Sequence, residues 1–409
     1  MLEPRDVEKL AKRVWPVAEA AGLEPPHVHF ELVSAATIAG LASYQGMPVR
    51  YAHWSFGKSY QHLKTAHDYR LTQIYELVIN SEPTYAFLDV NSTPSQALMI
   101  IAHVLAHADF FGHNRLFARV PRDMVNRMAF HRREMNAWRQ QYGDTPVETL
   151  IDAARILMDF VGGGRERRTE PSLDDVMGYV IDHAPHLRDW ERLCLSYLYD
   201  EARYFWPQQL SKVANEGYAT FWHTRIVRQV ADSAEEAWET ARLNAQVVAV
   251  APPQLNPYRL GYLLYDRIFA HGGLPALFEA RDVYDDSGLV RAWFDETMAE
   301  PSGLAVFRER DGHPRPRPTS GKDVKAQLQR DLDHAGIPRI RVMPDRTHKD
   351  QLYLFHLHDG RDLDFAKLPY ALGALAERIW QGPITLNTSR QRVQREITHD
   401  GVHYVDDAI

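Results

Sequence analysis

Apolar residues recur at the spacing of a helix with one buried face over most of the chain up to about residue 295. The stretches with this period lie at 3–22, 66–79, 94–111, 124–141, 146–160, 173–182, 187–205, 208–246 and 256–270. Prolines and glycines separate them, as turn residues do between helices. Two segments break the pattern and predict loops, namely 53–58 (HWSFGK) and 162–172 (GGGRERRTEPS). This part of the chain therefore predicts a mainly α fold.

A different pattern begins after about residue 300. The segment 310–322 is rich in proline, glycine and charge, which is typical of a linker or a long loop. The elements predicted beyond it are a helix, two strands, a helix and a strand, at 322–335, 340–343, 351–358, 365–380 and 383–388. We therefore expect a large helical domain at residues 1–305 and a small C-terminal α+β domain at residues 306–409.

Composition indicates the class of protein rather than its activity. The 409 residues include 47 basic and 54 acidic side chains, and the net charge of −7 gives no sign of a nucleic-acid partner. The single cysteine, Cys194, can form no internal disulfide, which fits a reducing compartment. The N-terminus shows no signal peptide, and the most apolar stretch, 97–108, is shorter than the roughly 20 residues of a membrane span. We expect a cytoplasmic protein without a membrane span.

Histidine is unusually frequent, with 20 in the chain. His103 and His107 lie four positions apart in an apolar helical stretch, so both imidazoles share one helix face and can reach one metal ion. A purely structural pair would also need partners, because an unpaired buried polar group costs about 1–3 kcal/mol. The spacing alone leaves both interpretations open.

The segment 215–223 (NEGYATFWH) favours a metal site. It resembles the Asn-Glu-Gly-aromatic-Ala stretch in which gluzincin metallopeptidases hold a glutamate as third zinc ligand, opposite H-E-x-x-H on another helix. Glu216 stands at that position, with His103 and His107 as the first two ligands. His223 follows two helical turns later and would line the site or orient a ligand. The alternative for Glu216 is a first-turn glutamate that the helix dipole favours.

Two departures from the gluzincin pattern bear on catalysis. Val104 occupies the place of the general-base glutamate, and Glu216 follows His107 by 109 positions, more than in most gluzincins. A hydrolase would need its base from elsewhere, and Glu201 and Glu76 are the candidates. Glu201 lies among aromatic residues, where a half-buried carboxylate suits a general acid or base, and a salt bridge to an arginine is its alternative role. The same alternatives apply to Glu76.

Seven sequence blocks in order resemble the SpoVR family (stage V sporulation protein R-like proteins). They are HWSFGKSY (53–60), YELVINSEP (75–83), AHVLAHADFFGHN (102–114), APHLRDW (184–190), DEARYFWPQ (200–208), NEGYATFWH (215–223) and NPYRLG (256–261). The segment LYLFHLHDG at 352–360 continues the likeness. Two places depart from the family pattern: residues 112–114 replace an expected Lys-Asn-Asn, and residues 244–246 stand near an expected Met-His-Ser.

The resemblance implies a helical cytoplasmic protein, linked in spore-formers to spore-cortex formation and in other bacteria to stress responses. It also implies two partners, an AAA+ serine-kinase-like protein and a protein with a von Willebrand-type domain. The resemblance brings no settled biochemical activity. We therefore draw the expected activity from the residues themselves.

The residues favour a zincin-like helical domain that hydrolyses amide or peptide bonds with zinc, although mixed His and Glu ligands suit other divalent ions too. In this interpretation Glu201 or Glu76 takes a proton from water, and His223 stabilises the developing oxyanion. A peptidoglycan-related peptide would be the substrate by family analogy. The alternative is a non-catalytic adaptor whose zincin-like core has lost its base and whose C-terminal module binds a partner.

Overall fold

The computed structural model describes residues 1–68, 76–162, 173–250, 254–305, 307–310, 313–316 and 320–409. At 64–68, 76, 307–310 and 313–316 the description covers the backbone alone. Helices make up most of the described chain, which confirms the predicted mainly α class. The predicted loop at 162–172 falls almost entirely outside the described residues.

The helices are α1 (Pro4–Ala20), α2 (Ala35–Ser43), α3 (Trp54–Asp68), α4 (Pro94–His113), α5 (Met124–Tyr142), α6 (Asp144–Arg155), α7 (Val176–His183), α8 (Asp189–Leu210), α9 (Lys212–Val230), α10 (Ala234–Val247), α11 (Pro257–Val283), α12 (Asp286–Trp293), α13 (Gly321–Leu332) and α14 (Leu368–Leu375). The strands are β1 (Val28–Val33), β2 (Glu76–Ile79), β3 (Thr84–Asp89), β4 (Phe307–Arg310), β5 (His313–Pro316), β6 (Ile340–Val342), β7 (Leu352–His356), β8 (Ile384–Arg390), β9 (Val393–His399) and β10 (Tyr404–Ala408).

The chain divides into two compact units, and each unit combines two segments. The first unit comprises residues 1–125 and 210–333, and the second comprises residues 126–209 and 334–409. Helices α6 and α7, with most of α5 and α8, therefore group with the C-terminal sheet rather than with the N-terminal helices. This grouping differs from the predicted division after residue 305. The predicted boundary, taken as the limit of an independently folding domain, stays a prediction.

Helix α4 forms the centre of the first unit. Every residue from Ala97 to Phe111 is buried, because α4 packs against α1, α9, α10 and β3. A helix that is apolar on all sides is expected to be enclosed on all sides. Its start is well defined, since Pro94 occupies the first turn and the Thr93 hydroxyl accepts a hydrogen bond from the backbone N–H of Gln96.

A three-stranded sheet and helix α3 in the first unit each correct one sequence prediction. Strand β3 lies in the middle, parallel to β1 and antiparallel to β2. Residues 76–79 were predicted as the end of a helix, yet they form β2, because so short an apolar run fits either element and pairing decides. The predicted loop at 53–58 is also wrong: α3 begins at Trp54, and Phe56 packs its ring 5.5 Å from that of Tyr51.

The C-terminal sheet of the second unit confirms the predicted α+β module. Its strand order is β10-β9-β8-β7-β6, with only the β7–β8 pair parallel. The predicted strands at 340–343, 351–358 and 383–388 correspond to β6, β7 and β8, and α14 with a following π-helical turn forms the crossover between β7 and β8. The half-polar strands β9 and β10 went unpredicted. Instead of an extended linker at 310–322, the described backbone shows the hairpin β4–β5 and the start of α13.

Two glycines mark a close approach of α9 to α11. A Cβ atom on Gly217 would lie 2.2 Å from Cα of Gly261, and one on Gly261 would lie 2.2 Å from the carbonyl oxygen of Val213. Real Cβ atoms do not approach other heavy atoms so closely, and backbone cannot rotate away as a side chain can. Two glycines therefore allow these helices to pack backbone against backbone.

We expect Gly217→Ala to lower the free energy of unfolding by about 1–3 kcal/mol, because the cost of overpacking outweighs the gain in helix propensity. Gly40→Ala is the control: Gly40 lies in α2 with no atom within 4 Å of its added Cβ, so this change should stabilise by about 0.5–1 kcal/mol. Urea unfolding followed by circular dichroism measures both. Equal stability of Gly217→Ala and the wild type would show that α9 and α11 can separate freely.

Candidate metal centre

Helices α4 and α9 bring the three predicted metal ligands together. His103 and His107 lie one turn apart on α4, and their rings are 4.4 Å apart at 88°. Glu216 faces them from α9. Glu216 lies beyond the first turn of α9, so a first-turn glutamate does not describe it. The first-turn N–H groups of Val213 and Ala214 instead donate to the buried carboxylate of Asp286, which anchors this end of α9.

The three ligand atoms have the spacing of a coordination site. Nε2 of His103 and Nε2 of His107 each lie 3.4 Å from Oε2 of Glu216, and all three atoms lie within 4.8 Å of one another. A tetrahedral zinc site with arms of about 2.1 Å has edges of about 3.4 Å. Nε2 of His103 and Oε2 of Glu216 are buried without a hydrogen-bond partner. These residues therefore fit a zinc ion.

A chain of hydrogen bonds orients His103. Its Nδ1 lies 2.8 Å from Nδ1 of His223, and Nε2 of His223 lies 2.9 Å from Oδ1 of Asn244. An amide oxygen only accepts, so a neutral His223 carries its proton on Nε2 and accepts through Nδ1. Nδ1–H of His103 then donates to His223, and the lone pair of a neutral His103 lies on Nε2, the atom that faces Glu216.

Asn215 orients the ring of His107 through a hydrogen bond to Nδ1. Its Oδ1 lies 2.8 Å from Nδ1 of His107, so the histidine donates through Nδ1 and directs its Nε2 toward Glu216. Metal-binding histidines commonly donate their second N–H in this way, which holds the ring and the tautomer. Both histidines thus direct Nε2 toward Glu216.

Burial and charge act in opposite directions on the acidic ligand. Burial by itself raises the pKa of Glu216, but His107 and His103, when protonated, lower it by more through their charge and the hydrogen bonds they would then donate, so its pKa falls well below the usual range. The carboxylate is therefore ionised at neutral pH. Burial lowers the pKa of His223 to about 3, and the charge of His103 adds to this effect. A neutral His223 is what the hydrogen bond from His103 requires.

The site is enclosed on the histidine side and opens slightly at the carboxylate. The side chains of His103 and His107 are 6% and 8% exposed, whereas that of Glu216 is 19% exposed. The ring of Tyr258, from the first turn of α11, stacks at 6.0 Å on the ring of His103. Val104 is fully buried and presents no polar group.

The predicted catalytic residues Glu201 and Glu76 are each described within their own unit. Glu201 belongs to the second unit, where it is fully buried with Oε1 3.7 Å from Nδ1 of His131, and His131 stacks at 4.2 Å on Tyr197. Glu76 is the first residue of β2, and its side chain is outside the described part of the structure. Both ring nitrogens of His223 are hydrogen-bonded, which favours its predicted role in orienting a ligand over contact with an oxyanion.

Three residues of the site were missed from the sequence: Asn215, Asn244 and Tyr258. Asn215 directly precedes Glu216, so the motif itself carried a signal for it. Asn244 stands near an expected family histidine, and the sequence indicated only that a histidine was absent. Nothing in the local sequence around Tyr258 points to a ring stacked on His103, because that contact depends on how α11 crosses α4.

Comparisons with known proteins assign the family. The model of the family described as SpoVR like protein matches residues 2–172 and 163–314, most of the chain. The chain belongs to the SpoVR-like family. A similar protein is YcgB of Escherichia coli (strain K12), described as uncharacterized and 27% identical over 305 residues. That match spans 59% of each of the two chains, and no solved structure matches the SpoVR-like chain.

Membership in the SpoVR-like family confirms the resemblance drawn from the seven sequence blocks. In the part of the chain that the structure describes, none of the helices combines the length and apolar character needed to cross a bilayer. The predicted absence of a membrane span is consistent with this finding.

We expect Asn215→Ala to weaken zinc binding about 10- to 100-fold, because His107 loses the acceptor that holds its ring and tautomer. Asn136→Ala, at an exposed position of α5, is the control and should leave zinc affinity unchanged. Competition with a chromophoric chelator measures both affinities. If Asn215→Ala binds zinc as tightly as the wild type, the hydrogen bond to His107 does not prepare a metal ligand.

Proposed function

We propose that this SpoVR-like protein is a zinc-dependent hydrolase of amide or peptide bonds, with a zincin-like site made by His103, His107 and Glu216. The observation that carries the proposal is the convergence of three ligand atoms from α4 and α9, with Glu216 3.4 Å from each histidine. When bound there, zinc would polarise a carbonyl and lower the pKa of a coordinated water toward about 7. Three protein ligands leave the open position that hydrolysis needs.

The protein residues around the site have separate tasks. The Asn244–His223 chain and Asn215 hold the two histidines with Nε2 toward the carboxylate. Glu216 contributes the negative charge, and its lowered pKa keeps it ionised over the neutral range. The partial exposure of Glu216 marks the side from which a substrate would enter.

The general base comes from outside the H-x-x-x-H helix, because Val104 is buried and apolar. We favour Glu76 over Glu201 for this role. Strand β2, which begins at Glu76, packs against α4, the helix that carries both histidines, and both elements belong to the first unit. Glu201, by contrast, is fully buried beside His131, where a water that reaches a substrate has no access.

Family analogy supplies the rest of the proposal. A peptidoglycan-related peptide is the proposed substrate, and an AAA+ serine-kinase-like protein and a protein with a von Willebrand-type domain are the proposed partners. Other divalent ions with a preference for nitrogen and oxygen ligands are alternatives to zinc.

The second candidate function is a non-catalytic adaptor. Its support is again Val104, which stands where a gluzincin has its base and is fully buried. In this alternative the metal would hold α4 to α9 as a structural ion, and the C-terminal sheet would bind the partner. Metal content alone does not separate the two functions, whereas turnover does.

Metal analysis of the purified full-length chain tests the site. We expect about one equivalent of zinc in the wild type and less than about 0.2 equivalents in His103→Ala and Glu216→Ala, since each change leaves only two ligands. Glu216→Ala should also melt at a lower temperature, and added zinc should not restore it. A wild type with less than about 0.2 equivalents of any transition metal, unchanged by His103→Ala, would contradict the metal site.

Turnover tests the hydrolase. We expect zinc-loaded protein to cleave peptidoglycan-derived peptides, and Glu76→Gln to lower kcat about 10²- to 10⁴-fold while zinc content stays the same, as for loss of a general base. Glu82→Gln, an exposed position six residues further along, is the matched control and should keep full activity. Stoichiometric zinc without cleavage of any peptide would favour the adaptor.

A further inference from the structure

A cleft lies on the side of His223 away from the candidate metal centre. It is a cleft of about 180 Å³ between α9 and α10, with Met99 of α4 also in its lining. His223 and Asn244 form part of its polar lining, so the hydrogen-bond chain that orients His103 ends at this cleft. The cleft is separate from the space between His103, His107 and Glu216.

The cleft carries a positive charge and no negative one. Arg228 is exposed at its edge, and no carboxylate is among the lining residues. In the described structure Arg228 forms no ion pair or hydrogen bond, unlike Arg225 one turn earlier, which lies 3.5 Å from Asp266. An anion is therefore the occupant that the charge favours.

The polar groups of the cleft that lack a partner are hydrogen-bond donors, which favours a ligand with acceptor atoms. The hydroxyls of Thr224 and Thr240 already donate to the carbonyl oxygens of Thr220 and Glu236. Oδ1 of Asn244 accepts from His223, whereas its Nδ2 donates to no described residue. The donors left in the cleft are thus the Asn244 amide and the Arg228 guanidinium. A carboxylate matches such a pair, since guanidinium and amide N–H groups both donate to its oxygens.

The size and the remaining walls limit the occupant further. A volume of about 180 Å³ holds about six water molecules at the volume of liquid water, so the ligand is small. Met99, Val227, Ala237 and Ala241 give the cleft apolar walls. Inorganic phosphate would leave these walls without a contact, whereas a carboxylate on a short apolar body would cover them.

We propose that the α9–α10 cleft binds a small carboxylate, held by Arg228 and the side-chain amide of Asn244, with its apolar part against Met99 and Val227. Such a ligand would contact the residue that sets the tautomer of His223. Hydrogen bonds in a chain polarise one another, so a ligand on Asn244 strengthens the chain to His103. This consequence for metal affinity rests on the proposed metal centre, but binding in the cleft does not.

N-acetyl-L-alanine is a suitable probe, with its uncharged amide, N-acetyl-L-alaninamide, as matched control. We expect saturable binding of the acid to the zinc-free full-length protein, with shifts of the His223 ring resonances in NMR spectra. The amide should bind at least about tenfold more weakly, the factor that corresponds to about 1.4 kcal/mol. Equal binding of acid and amide, or no saturable binding of the acid, would overturn the proposal.

Substitutions locate the binding. Arg228→Gln should weaken the acid at least about tenfold, since it removes a charge-assisted hydrogen bond. Arg242→Gln is the control, because Arg242 is an exposed arginine of α10 that lies over the Trp238 ring and outside the cleft. Unchanged binding in Arg228→Gln, or an equal loss in both variants, would place the acid elsewhere and refute the assignment.

The effect of the bound acid on zinc affinity is measured separately. In the presence of saturating N-acetyl-L-alanine, zinc affinity should rise about two- to threefold, and by linkage zinc should raise affinity for the acid by the same factor. Identical zinc affinity with and without the acid would refute the coupling. A protein that binds the acid but no zinc would instead refute the metal centre, so the two failures are distinguishable.

Discussion

The burial of α4 on every side is the constraint on which the first unit depends. Any polar side chain on this helix must find its partner inside the protein, because water does not reach it. Asp109 shows the result: its carboxylate accepts hydrogen bonds from the Tyr218 hydroxyl at 2.6 Å, from Arg281 at 2.8 Å and from the backbone N–H of Glu24 at 2.7 Å. One buried charge thus ties α4 to α9, α11 and the segment after α1. Burial first, and then the charge of Asp109, raise the pKa of Tyr218, which remains a donor.

The two histidines meet the same constraint with a different outcome. Their Nδ1 atoms are partnered by His223 and Asn215, as a buried helix requires. Their Nε2 atoms converge instead on one carboxylate oxygen, so that three groups able to bind a cation surround a single point. A structural pair of core histidines would need no such convergence. This convergence is the observation from which the proposed metal site is argued.

The packing of α9 keeps this point in place. The backbone contact between Gly217 and Gly261 sets the distance of α9 from α11, and Glu216 is the residue next to that contact. Asp286 holds the N–H groups of the turn before it. The position of Glu216 is therefore set by backbone interactions on both sides, while its side chain is left to face α4. The packing of α9 against α4 brings Glu216 to His107. The two ligands can therefore be 109 positions apart in the sequence.

The sequence by itself determined the helical class, three of the five strands and the crossover helix of the C-terminal module, and the three residues that meet between α4 and α9. These depend on local periodicity and on short motifs, which a chain carries wherever it folds. Tertiary structure decided the rest. Residues 76–79 became a strand through pairing with β3, and α6 and α7 joined the C-terminal sheet in one unit. Asn244 lies 21 positions after His223. It ends the series of hydrogen bonds that orients His103 because α10 packs beside α9. Such contacts join residues far apart in sequence, and no local pattern records which of them will meet.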